Sequence, residues 1–77
     1  MPISRTRLEL IMGKELGPIG VKLLNRQFER AKITESKVEG EKLDELCFYI
    51  SEAMVLFVGK DKSDRLINDI KRQANKA

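Results

Sequence analysis

Histidine is absent from this 77-residue chain, and cysteine occurs once, as Cys47. Without imidazole the chain lacks the side chain best suited to proton transfer near neutral pH, which is also the commonest metal ligand. One cysteine and no histidine cannot assemble a zinc site from this chain alone. A lone cysteine cannot staple the fold internally either, which fits a reducing compartment. No apolar run approaches the roughly 18 residues a bilayer span requires, and Met1 to Arg7 lacks the apolar stretch of a secretory signal. These absences predict a cytoplasmic protein that is not an enzyme, with no catalytic residues, no metal and no cofactor.

What is present describes a folded domain. Apolar residues make up 42 % and charged residues 35 %, the balance of a globular chain rather than a disordered tail. At this length one domain, residues 1–77, is expected, and it hides only about 60 % of the surface an unfolded chain exposes. Its total stability is then about 4 to 12 kcal/mol, so a partner subunit would add usefully to so small a core. The net charge is +3, but the basic residues concentrate at the two ends while residues 32–59 carry six acidic and three basic side chains. Such a pattern can be neutralised within the fold or across a dimer as readily as by phosphates.

Hydrophobic periodicity divides the chain into four helices. In the first, Ser4 or Thr6 caps the start, with Glu9 completing a capping box after Thr6. Leu8, Ile11, Met12 and Leu16 follow at helical spacing and Gly17 ends it. Pro18 restarts the chain at a first helical position. The second helix runs to about Ala31, with Val21, Leu24, Phe28 and Ala31 in one sector and Lys22, Arg26 and Arg30 in another. A polar connection follows to Gly40, tacked to the core by Ile33 and Val38. Gly59 separates the third helix from a fourth, capped by Asp61 or Ser63, whose inner face is Leu66, Ile67, Ile70 and Ala74 and whose outer face alternates in sign. No strand pattern competes.

The third helix, Gly40 to Val58, gives the strongest signal. Leu43, Leu46, Cys47, Ile50, Ala53, Met54, Phe57 and Val58 share one sector, opposite Glu41, Glu45 and Glu52. Cys47 on that sector reads as a small buried hydrophobe. Beside the acidic line, Phe48 and Val55 lie on one flank and Tyr49 and Leu56 on the other, so one packing face does not satisfy this helix. These four residues are the candidate partner interface, since aromatic residues are enriched where proteins meet.

Two strings resemble motifs and fail on context. Gly59, Lys60 and Ser63 lack the upstream glycine and preceding strand of a phosphate loop, and Asp61, Ser63 and Asp69 lack the central glycine and terminal Glu of a calcium loop. The stripe Lys22, Arg26, Arg30 is the best nucleic-acid feature, yet no aromatic is interleaved with it.

Leu16, Gly17, Pro18, Ile19 and Gly20, followed by an amphipathic helix, a polar connection, an apolar helix ending in Phe57, Val58 and Gly59, and a charged last helix, resemble short helical modules appended to archaeal and bacterial signalling and regulatory proteins. The resemblance covers most of the chain and implies a non-catalytic role in assembly or regulation. Pro18, Ile19 and Gly20 are also similar to the opening of archaeal histones, but glycines at 40 and 59 leave no room for the long central helix of that fold. The expected architecture is therefore an all-α bundle of four mostly antiparallel helices, the third one central. The expected function is a protein-interaction or dimerisation module with itself or another protein as partner. A small nucleic-acid binder using Lys22, Arg26 and Arg30 is the alternative.

Overall fold

The computed structural model describes residues 2–76, with the side chain of Lys76 left aside. Four helices account for most of the chain: α1, Arg5–Leu16; α2, Pro18–Arg30; α3, Gly40–Val58; and α4, Lys60–Lys76. Two short extended pieces, β1 (Ile3–Ser4) and β2 (Lys37–Val38), pair antiparallel with Ile3 opposite Val38. This two-residue ladder is an addition to the all-helical expectation, and it is too short to leave an alternating pattern in the sequence. It anchors the N-terminus to the polar connection, helped by the Arg5 amide donating to the Ser36 carbonyl at 2.7 Å.

Ser4 starts α1: its hydroxyl accepts from the Arg7 amide at 3.0 Å, satisfying one of the orphan donors of the first turn. Thr6 lies inside the helix, so the box with Glu9 does not form at the helix start. A single residue, Gly17, joins α1 to α2. Its φ of 67° with ψ of −151° belongs to a region that only glycine occupies comfortably. Pro18 then opens α2 with its fixed φ.

The joint folds α2 back along α1. At one end the Arg5 guanidinium lies 4.3 Å over the Phe28 ring and donates to the Asn25 side chain at 2.7 Å. Toward the joint, buried Gly20 sits against the backbone of Met12, so close that a Cβ there would overlap the Met12 carbonyl oxygen and come within 2.9 Å of the Leu16 Cβ.

The end of α2 is closed by a pair of backbone bonds, Ile33 amide to Phe28 carbonyl at 3.0 Å and Lys32 amide to Glu29 carbonyl at 3.1 Å. They form a Schellman motif in which Lys32, at φ 57°, occupies the left-handed position usually given to glycine. Ile33 and Phe28 are both buried and supply the hydrophobic contact of that motif. Lys42 at the start of α3 donates to Glu35 in the connection at 2.6 Å, holding the Glu35 carboxyl below its ordinary range.

α3 runs over the predicted span and packs against both α2 and α4. Its Leu43, Leu46, Cys47, Ile50 and Met54 enter a core shared with Leu8, Ile11 and Met12 of α1, Leu23, Leu24 and Phe28 of α2, and Leu66, Ile70 and Ala74 of α4. Gly59, at φ 85°, ends α3, and α4 begins at the next residue. Asp61 and Ser63 consequently lie inside α4 rather than at its cap. Ser63 is fully buried, and its hydroxyl donates to the carbonyl and hydroxyl oxygens of Ser51 at 3.4 and 3.5 Å, a long polar contact that joins α3 to α4. No helix among the described residues is long and apolar enough to cross a membrane.

Candidate interaction groove

Along α2, residues 19, 23, 26 and 30 recur at spacings of four, three and four, and Lys22 lies beside them, so all five share one side of the helix. Opposite them the second half of α3 presents Glu52, Ala53, Leu56 and Phe57. Between the two helices runs an open groove of about 910 Å³. Leu23 and Ala53 contribute to its apolar interior, Ile19, Leu56 and Phe57 to its apolar border, and Lys22, Arg26 and Arg30 to its charged border. Glu29 and Glu52 also line it, leaving a small excess of positive charge.

The three cations differ in what they already hold. The Arg30 guanidinium lies 4.6 Å over the Tyr49 ring, donates to the Gln27 side chain at 3.2 Å, and reaches Glu52 at 3.9 Å. Gln27 is buried and donates in turn to the Leu23 carbonyl at 3.2 Å, so Arg30 is held in place by a small network. Lys22 and Arg26 are exposed and take no part in an ion pair or side-chain hydrogen bond among the described residues.

The four predicted interface residues separate. Leu56 is 86 % exposed and lines the groove. Phe48, 61 % exposed, and Val55 are bared on α3 outside it, and Tyr49 is half-buried beneath Arg30, with its ring edge-on to Phe48 at 5.9 Å. The basic stripe and Leu56 thus meet at one groove, a convergence the helix wheels treated separately could not show.

Two exposed apolar contributors to the groove, Phe57 and Ile19, were not in the candidate set. Phe57, assigned by its wheel position to the core sector, is 64 % exposed, because in the last turn of α3 that edge of the sector has no helix over it. Ile19 is similarly bared in the first turn of α2. Its signal was legible, since Ile19 and Leu23 fall on the same side as Arg26 and Arg30.

Cys47 is buried in the core, where burial pushes its thiol up to about 11, away from the thiolate needed for nucleophilic chemistry. Among the described residues no group of three or more acidic or cysteine side chains is placed to hold a metal ion. A smaller cavity of about 290 Å³ lies between Glu15 of α1 and Lys62, Arg65, Leu66, Asp69 and Arg72 of α4, with both charge signs along its lining. No protein-family model, curated protein or solved structure matches the chain.

Proposed function

We propose that this chain is a non-catalytic interaction module that self-associates as a homodimer through the bared side of α3 and the adjoining groove. The observation that carries the reading is a concentration of exposed apolar surface. Among the described residues, four of the six exposed large hydrophobics, Phe48, Val55, Leu56 and Phe57, lie within residues 48–57 of α3, and apolar side chains bared this densely on one helix, unlike scattered single residues, favour cover by another molecule. The absence of histidine and the suppressed thiol of Cys47 support the non-catalytic part.

Size-exclusion chromatography with light scattering at micromolar concentration tests it. The expected result is a dimer for the wild type and a monomer for Leu56→Asp, because a carboxylate at that position cannot be buried unpaired. A wild type that stays monomeric and is indistinguishable from Leu56→Asp overturns the proposal.

A nucleic-acid reading rests on the exposure of Lys22 and Arg26. It is the weaker one, because Arg30 is already engaged with Tyr49 and Glu52, and two carboxylates share the groove. Binding to generic duplex at low salt that disappears when the stripe is reversed to Glu would favour it.

A further inference from the structure

The outer side of α3 has a regular composition. Glu41, Glu45, Phe48, Glu52 and Val55 recur at alternating spacings of four and three, so they form one seam along the helix. Glu41, Glu45, Phe48, Glu52 and Val55 are all exposed. Two copies of this seam cannot meet face to face favourably. In parallel each Glu meets its own equivalent, and in an antiparallel pairing centred on Phe48 the Glu45 of one copy meets the Glu52 of the other. Like charges at such an interface are destabilising. An acidic, apolar-interrupted helix instead needs an apolar trough whose cations outnumber its carboxylates, and the groove between α2 and α3 sets Lys22, Arg26 and Arg30 against Glu29 and Glu52.

Resting on the homodimer reading above, we infer that the groove of each protomer receives the acidic seam of α3 from a second copy, with Lys22 and Arg26 facing the Glu45 and Glu52 carboxylates of the partner. Phe48 and Val55 of the seam enter the trough formed by Leu23, Ala53, Ile19, Leu56 and Phe57. A two-fold axis makes the exchange reciprocal, each chain contributing one groove and one seam, so the association closes at two copies. The two cations without an ion-pair partner among the described residues find one across the interface. Arg30 stays in its own chain, over Tyr49 and bonded to Gln27, and Glu52 turns from its 3.9 Å approach to Arg30 toward the partner's cations. The charge pattern along the sequence, basic in α2 and acidic in α3, is then neutralised between protomers.

Reciprocal charge reversal tests the pairing. One variant carries Lys22→Glu and Arg26→Glu, the other Glu45→Lys and Glu52→Lys, and each is checked for helicity by circular dichroism. Each variant alone is expected to be monomeric, with its dimer Kd raised at least about tenfold. Mixed in equal amounts, the two have complementary charges at both halves of the interface, and light scattering is expected to show a heterodimer.

Variants that stay dimeric while Leu56→Asp dissociates leave the homodimer reading standing and overturn this pairing. A mixture that stays monomeric while the wild type dimerises overturns it as well. A monomeric wild type removes both, leaving the groove for a helix of a different protein. If a double variant loses its helicity, Arg26→Ala decides: it is expected to weaken the dimer and flatten its dependence on salt, and an unchanged salt dependence overturns the pairing.

Discussion

Helix α2 makes two seams, and they are built in opposite ways. Against α1 the contact is closed so tightly that Gly20 has no space for a methyl group beside the Met12 carbonyl. Against α3 the same helix leaves a groove of about 910 Å³, bordered by apolar side chains that stay exposed. A small domain gains stability from contacts of the first kind, where neighbouring backbones approach and water is excluded. The second kind forgoes that gain. The difference between the seams separates the part of α2 that holds the fold from the part left for another molecule.

The sealed seam gives the largest expected effect. Gly20→Ala places a Cβ against backbone atoms and the Leu16 Cβ, none of which can rotate away, so it should cost about 3 kcal/mol or more. For a domain of this size that is a fall of at least about 12 °C in Tm, read by thermal circular dichroism. A variant as stable as the wild type would show that the seam is looser than described.

A smaller and opposite effect is expected where α2 ends. Lys32→Gly relieves a left-handed backbone in a non-glycine residue without touching either seam, and should stabilise by about 0.5 to 1 kcal/mol, measured by urea unfolding. Any loss of stability would mean that the Lys32 side chain contributes more than its backbone costs.

The open seam should respond least. Leu56→Asp changes a side chain that is 86 % exposed, so the stability of the monomer should move by less than about 0.5 kcal/mol, even as association is lost. A large drop in monomer stability would mean that Leu56 belongs to the core after all.

Much of this fold was legible because its boundaries are chemical. Gly17 with Pro18, and Gly59, mark the joints, and the span of α3 followed from its apolar periodicity between Gly40 and Gly59. The β1–β2 ladder was not legible, since two paired residues leave no period to detect. Ser63 looked like a cap because serine favours that position, but the one-residue joint at Gly59 places it inside α4, where it contacts Ser51.

The candidate site was legible only in halves. Wheels drawn one helix at a time located Leu56 and the stripe of Lys22, Arg26 and Arg30, but they cannot show that two helices diverge enough to leave a groove between them. Phe57 was misplaced for the same reason, because a sector is buried only where another helix reaches it.

On the proposed reading, a second copy completes the seam between α2 and α3. The most direct test is the dependence of the unfolding midpoint on protein concentration, because association adds stability by mass action. Tm is expected to rise with concentration for the wild type and to stay flat for Leu56→Asp. A flat Tm for both, with a monomeric mass throughout, would contradict it.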